Sequence, residues 1–458
     1  MSVAVYRLIH DKVGGLKALH VKQVDVIGAY IGNWVVMFTK FCDEYSPIEY
    51  PADLVRLSAL AAHPKQKIRK QALEELDSQG YLYAPREIYM DRDIQAKLKL
   101  AEWAKPLKYG RIIADFGTPA SIRAGWLIEI MKGFMNDMAN TPAMAASNGR
   151  CVFVKTGNLD SLTRVFQEAL EENIFHFHSD DSRGTFMTAE GPLWIDFDIS
   201  ACDSSQGPHV FQTLAHLVPE RYKDDILALL TQCQQIAAIG YGEGKYKIVP
   251  EWYFEFSGTL LTTFLNNIAS LTVGMQLMSI PTGNRLETIE RVRQVLLNCG
   301  WVLEMSVCEI FEDCQFLKCS PFYSDNGRYD VYMNLGVIMR AIGQKHGDLP
   351  GSKKVCIEDR AVEFNSQLIS GFRHCGDTSL YRLLVAKFGV SLPVYTNANR
   401  LFLDSTVTGL AMDISICARY RIELGDYHEL LSLIEFAGYG DIIDCKASQA
   451  ILQKDYGL

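Results

Sequence analysis

Through roughly the first hundred positions apolar residues recur at three- and four-residue spacing with few β-rich runs, a period that predicts mostly helical structure. The longest apolar run, residues 26–38, is interrupted by Gly28, Gly32 and Asn33. It is shorter than the roughly 20 residues a bilayer span needs, so a buried helix is expected and no transmembrane segment. Residues 63–70 give a basic start to a helix reaching Leu76, and its charges read as a solvated helix end. Residues 105–113 lead from cations into an apolar strand. Residues 124–172 read as helical again, with turns at Thr141–Pro142 and at 147–149.

The period then changes. In residues 173–189 two β-prone runs flank a polar turn carrying Ser179, Asp180 and Asp181, which predicts a hairpin. Residues 193–205 open with aromatic and branched residues and break into small polar ones, the pattern of a strand running into a turn. Alternation along that strand puts Asp196 and Asp198 on one face and Ile195 and Phe197 on the other. Residues 218–230 have helical periodicity, and the glycines of 240–245 suit a hairpin turn. A helix is expected from Thr259 to about Met278, ending at Pro281–Asn284, and a second from Leu286 to Asn298. The connector between them is too short for another hairpin. A β-prone run follows at 301–303, and beyond Phe322 the chain reads as largely helical.

Composition narrows the class. At 458 residues and 48% hydrophobic content the chain is globular, with room for two or three domains or one enzyme with subdomains. A net charge of −9 argues against an indiscriminate nucleic-acid binder but would hide a local basic channel. Twelve cysteines without a CxxC pair suit a reduced intracellular protein. Cys308, Cys314 and Cys319 cluster without a zinc spacing.

Candidate chemistry concentrates in the acidic residues of the β-rich centre. Asp180 and Asp181 lie in a turn, Asp198 at a strand's end, and Asp203 five residues further on. His176, His178 and Asp180 alternate onto one face, a pattern read as packing or hydrogen-bonding histidines in preference to a metal site. A second acidic pair, Asp224–Asp225, falls in the charged first turn of a helix and is rejected as a metal pair. Gly240–Lys245 matches neither a phosphate loop nor a dinucleotide fingerprint.

Together these segments resemble the palm of viral RNA-dependent RNA polymerases. Motif A would be Asp198-x-x-x-x-Asp203, and motif B the Ser-Gly-x-x-x-Thr-x-x-x-Asn spacing of Ser257, Gly258, Thr262 and Asn266. Motif C would be Ser179-Asp180-Asp181. The order is C, A, B, which resembles the permuted palms of permutotetravirus and birnavirus polymerases. Lys105, Lys108 and Arg111 resemble the basic motif F, residues 286–303 motif D, and residues 311–319 motif E. The resemblance covers about residues 105–322. No lysine occurs between Arg293 and Lys318, where the family commonly places its general acid.

The resemblance implies an α/β (α+β) right-hand fold, with helical fingers and thumb around a palm of antiparallel sheet plus helices. It would divide the chain into an N-terminal extension and fingers (1–172), palm motifs C and A (173–204), and a fingers insert (205–250). Palm motifs B, D and E (251–322) and a helical thumb (323–458) would follow. It implies nucleotidyl transfer from a nucleoside triphosphate to an RNA 3′-hydroxyl. Two Mg²⁺ ions, or Mn²⁺ in their place, would be held by Asp198, Asp180 and Asp181, because hard cations take oxygen ligands. Asp196 is a further candidate. Asp203, Ser257, Thr262 and Asn266 would sense the ribose 2′-hydroxyl, which both donates and accepts. Lys105, Lys108 and Arg111 would neutralise the triphosphate, and Lys318 would support the primer. Implied partners are template and product RNA, nucleoside triphosphates, and viral or host replication proteins. The implied place is the host cytoplasm in replication complexes, with the virion as a second. A reverse transcriptase and a catalytically silent, RNA-binding palm are the competing readings.

Overall fold

A computed structural model of the chain describes residues 19–45, 53, 55–56, 66–83, 93–97, 111–139, 145–155, 159–234, 237–241, 244–248, 255, 258–324, 327–343, 349, 351–371, 378–389 and 409–457. It is a mixed α/β protein of two units. The first comprises Met1–Lys155, Asn173–Pro192 and Phe197–Ser306; the second comprises Thr156–Glu172, Leu193–Asp196 and Val307–Leu458.

In the first unit, helices α1 (Ile31–Tyr45) and α2 (Gln66–Ser78) pack on the long α3 (Gly117–Ala139). The edge-to-face pair Phe38–Phe134, with centroids 4.4 Å apart, marks that contact. The apolar run 26–38 is not one helix: a turn at Ala29–Tyr30 divides it, with Ile27, Trp34 and Phe38 buried and Val36 exposed. Among the described residues no helix is long and apolar enough to cross a membrane.

The first hundred residues are also less uniformly helical than their period suggests. Strand β1 (Asp93–Lys97) pairs antiparallel with β2 (Arg111–Asp115). The turn at Ser147–Asn148 is present, but it joins strands β3 (Ala145–Ala146) and β4 (Gly149–Phe153) inside a stretch read as helix. These strands are too short to carry a period of their own, and ladder partners decide them.

The central sheet has the order β10-β7-β6-β5-β4-β3, where β5 is Ile174–His178, β6 Asp181–Thr188, β7 Gly191–Ile199 and β10 Leu303–Val307. The expected hairpin is β5–β6, paired antiparallel from Ile174↔Thr185 to His178↔Asp181. An all-antiparallel sheet was expected, and here the structure differs: β4 and β5 run parallel. Parallel neighbours need a crossover, and the connection carrying α4 (Leu159–Glu168) supplies it. Helices α5 (Pro208–Leu217) and α6 (Lys223–Leu230) follow β7, then the antiparallel pair β8 (Ala237–Tyr241) and β9 (Gly244–Ile248).

Helix α7 (Thr262–Leu277) lies against β5. Gly274 lies in that contact, where a Cβ would overlap the Phe175 ring and crowd the Cys151 sulfur. Glycine is therefore required there by packing. Helix α8 (Arg285–Asn298) begins eight residues after α7 ends, so 278–284 is only a connector. Its start is capped by Asn284, which accepts from the Glu287 amide at 2.9 Å.

The second unit contains α4, the hairpin β11 (Cys319–Tyr323) and β12 (Tyr329–Met333), and the helices α9 (Leu335–Gly343), α10 (Ile357–Gly371), α11 (Ser379–Phe388), α12 (Gly409–Tyr420), α13 (Leu424–Phe436) and α14 (Lys446–Tyr456). Among the described residues beyond Tyr323 the regular elements are thus helices apart from β12. Its core joins Phe322, Tyr332, Leu380, Ile416, Tyr427 and Ile451. A buried ion pair, Arg419–Asp455 at 3.2 Å, crosses that core.

Candidate active site

The site is assembled where the β5–β6 turn, the end of β7 and the first turns of α7 meet. The turn is Ser179–Asp180; Asp181, which the sequence pattern places in the turn, is already the first residue of β6. Ser179 sits at φ 57°, a left-handed conformation that costs a non-glycine residue about 1–3 kcal/mol unless its surroundings enforce it. Helix α7 enforces it. The Ser179 amide donates to Asn267 Oδ1 at 2.7 Å, and Ser270 Oγ donates to the Ser179 carbonyl at 2.6 Å. Asp180 follows as the second residue of the turn.

Strand β7 buries Ile195, Phe197 and Ile199, leaves Asp198 exposed, and ends at Ile199. The Ser200 amide extends the ladder by donating to the Val302 carbonyl at 2.8 Å. Ala201, at φ 50°, then turns the chain into a single helical turn, Cys202–Ser205, carrying Asp203. Asn266 Nδ2 reaches across from α7 to Asp203 Oδ1 at 2.9 Å and to Ser179 Oγ at 3.4 Å. Its own Oδ1 accepts from Gln206 Nε2 at 3.0 Å and from the Cys202 thiol at 3.2 Å. One side chain thus links three segments that are far apart in the chain. Thr262, at the start of α7, shares a 2.9 Å hydrogen bond with Thr259.

The electrostatics are dominated by carboxylates. Burial pushes the Cys202 thiol well above its ordinary range, and Asp180, Glu255, Asp203 and Asp198 push it further. Glu255 is 1% exposed, and burial, with Asp203 and Asp180 adding to it, holds its carboxyl well above the usual carboxylate range. It faces the Thr259 and Thr262 hydroxyls without closing a hydrogen bond of normal geometry to either. The donors gathered here are oxygens, which suits a hard divalent cation. Among the described residues, no group of three or more His, Cys, Asp or Glu side chains is placed to hold a metal ion.

Comparison with solved structures returns an RNA polymerase VP1 from Infectious Pancreatic Necrosis Virus, at 11% identity and a TM-score of 0.42. It covers 94% of this chain and 56% of that one. A birnavirus VP1–VP3 complex matches at 11% identity and a TM-score of 0.42, over 89% of this chain and 54% of that one. The chain spans about half the length of these structures. No protein-family model and no curated protein matches it.

The remaining sequence candidates divide. Lys105, Lys108 and Ser257 lie outside the described residues, as does the side chain of Arg111, the first residue of β2. Asp196 accepts from the Gln315 amide at 2.8 Å and from the Cys308 thiol at 3.6 Å, so it is engaged with the segment around Phe311. That segment is anchored by Phe311, which packs on Trp194 and Tyr329 with centroids 4.9 and 4.6 Å away. Lys318 is exposed at the tip of a tight turn in which Leu317 and Lys318 are both left-handed, closed by reciprocal 2.9 Å hydrogen bonds between Phe316 and Cys319.

Asp225 is paired with the buried Arg123 in the first turn of α6, a structural place for the rejected acidic pair. His178 Nδ1 contacts the Val154 carbonyl at 2.7 Å and its ring stacks on Phe153, while burial lowers its pKa. These are the contacts of a packing histidine. Cys308, Cys314 and Cys319 are buried, and none is part of a disulfide.

Gln206, Glu255, Asn267 and Ser270 join the site without having been singled out in the sequence. Asn267 and Ser270 carried a signal: on a helix beginning at Thr262, residues one and four positions after Asn266 are polar yet fall in an apolar run.

Proposed function

We propose that this chain carries out template-directed RNA synthesis for a viral genome, transferring nucleotides from triphosphates to an RNA 3′-hydroxyl. The observation that carries the reading is the hydrogen-bond knot of Asn266 with Asp203 and Ser179, since it brings motifs A, B and C of the resemblance to one place. In this reading residues 1–172 and 205–250 serve as fingers, 173–204 and 251–322 as a palm with motif C ahead of motif A, and 323–458 as thumb.

Asp198, Asp180 and Asp181 would hold two Mg²⁺ ions, with Mn²⁺ acceptable to the same oxygens. Bound there, the ions would supply charge neutralisation for the attacking hydroxyl and the departing pyrophosphate. The Asp203 carboxylate accepts and the Asn266 amide both donates and accepts, so the pair can recognise a 2′-hydroxyl. Ser257 and Thr262 complete that recognition. Lys105, Lys108 and Arg111 bind the triphosphate, and the exposed Lys318 steadies the primer strand. The working partners are template and product RNA, together with viral or host replication proteins, and the working place is the replication complex in the host cytoplasm or the virion.

Primer extension on an RNA template, with ribo- or deoxyribonucleotides and with or without Mg²⁺, tests the reading. Divalent-dependent incorporation of ribonucleotides is expected. Preference for deoxyribonucleotides would mean a reverse transcriptase. RNA binding without incorporation would mean a silent palm serving as scaffold.

A further inference from the structure

The Asn266 amide is held from both ends: the Asp203 carboxylate, which only accepts, takes Nδ2, and a chain of buried groups behind it takes Oδ1. An amide side chain presents a donor at one end and an acceptor at the other, and only its surroundings fix which way it points. An indole N–H has no such freedom, because it can only donate. Trp301 Nε1 donates to Gln206 Oε1 at 3.4 Å. That makes the oxygen of Gln206 the acceptor and leaves Nε2 to donate to Asn266 Oδ1 at 3.0 Å. The Asn266 oxygen, which also takes the Cys202 thiol, is thereby turned inward, and Nδ2 faces Asp203 and Ser179. Trp301, Gln206 and Asn266 are 1%, 4% and 1% exposed, so water does not compete for these bonds.

The Trp301–Gln206 contact is itself held in place. Gln23, fully buried, donates from Nε2 to the carbonyls of Ser205 at 3.0 Å and Gly300 at 2.9 Å, and accepts from the Gly207 amide at 2.9 Å. It therefore grips the backbone on both sides of Gln206 and just before Trp301. Gly300, at φ 92°, leaves no room for a Cβ against Gln23.

We infer that Gln206 and Trp301 are positioning residues for sugar selection: they touch no substrate, and they fix the donor face of Asn266 toward Asp203. The inference rests on the polymerase reading above. Replacing Gln206 by Met keeps length and apolar bulk while deleting its bonds to Trp301, Asn266 and the Cys202 sulfur, so Asn266 Oδ1 keeps only the Cys202 thiol as a donor and the amide is held less firmly. Trp301→Phe keeps a ring in the core and deletes only the indole donor.

The test is the ratio of kcat/KM for a ribonucleotide over its deoxyribonucleotide, measured for the wild-type chain, Gln206→Met, Trp301→Phe, Asn266→Ala and the Gln206→Met/Asn266→Ala double variant. Loss of one orienting bond is expected to narrow the ratio in Gln206→Met by roughly two- to tenfold. Trp301→Phe should move it in the same direction by less. The double variant should match Asn266→Ala alone, because Gln206 acts through Asn266. A merely structural role would slow both sugars alike and add to Asn266→Ala. An unchanged ratio in both single variants, or losses that add in the double variant, would overturn the inference. A wild-type chain that incorporates no nucleotide would instead overturn the polymerase reading, and the inference with it.

Discussion

Asn266 donates to Asp203 at 2.9 Å although 63 positions separate them in the chain. The bond ties the start of α7 to the turn after β7, and the same amide reaches Ser179 in the β5–β6 turn. A polar side chain that is 1% exposed and fully engaged with neighbours from two other segments specifies geometry as well as contributing stability.

Removing either end of that bond should weaken sugar discrimination. Asp203→Ala or Asn266→Ala should narrow the preference for ribonucleotides by about 0.5–1.5 kcal/mol, and by up to about 3 kcal/mol where the charged partner is lost. Catalytic efficiencies for the two sugars provide the measurement. An unchanged ratio in both variants would assign selection to other residues.

Asp198→Asn and Asp180→Asn should each abolish nucleotide incorporation while RNA affinity stays nearly intact. Each change removes a metal-binding charge and almost no surface. Asp224→Asn, in the exposed first turn of α6, should retain most activity. Primer extension paired with an RNA-binding titration separates the two effects. Normal extension by a folded Asp198 or Asp180 variant would remove that residue from the metal set.

Glu255 should make stability fall as pH rises. Burial holds its folded-state pKa well above the ordinary 4.5, so between those values the folded chain binds more protons than the unfolded chain. The unfolding free energy then decreases with pH through that window. Glu255→Gln copies the neutral carboxyl and should flatten the dependence, with its largest stabilising effect at the upper end. Urea denaturation of both chains in a chelator, at about pH 5.5 and about pH 8, reads the difference. Parallel pH profiles for the two chains would show that Glu255 titrates normally.

In the second unit, Asp455→Ala should destabilise by about 3–5 kcal/mol, because it leaves the Arg419 guanidinium buried without its counter-charge. Asp455 also accepts from the Tyr420 hydroxyl and the Gly336 amide, both at 2.9 Å, and these donors lose a partner too. Equilibrium unfolding in denaturant measures the loss. A change of about 1 kcal/mol or less is the size of a surface ion pair and would rule out a buried one.

What the sequence by itself determined was local. Alternation and turn residues were enough for the β5–β6 hairpin and for β7, and helical period with a cap and a proline was enough for α7, the connector and α8, since each of these patterns is written within a few residues. The shared face of Thr262 and Asn266 likewise follows from helix geometry, four residues being about one turn. Tertiary structure decided the rest. β1 and β4 exist because strands further along the chain complete their ladders, β3 because β4 is there to pair with it, and β4 runs parallel to β5 because a helix-bearing connection returns the chain in the same direction. What holds the other end of the Asn266 amide was beyond any reading of the chain: Asp203 takes its donor end, and Gln206, fixed by a donor-only indole 95 positions from it at Trp301, takes its acceptor end. Buried hydrogen bonds between remote side chains leave no period in a sequence, because their partners meet only after the chain has folded.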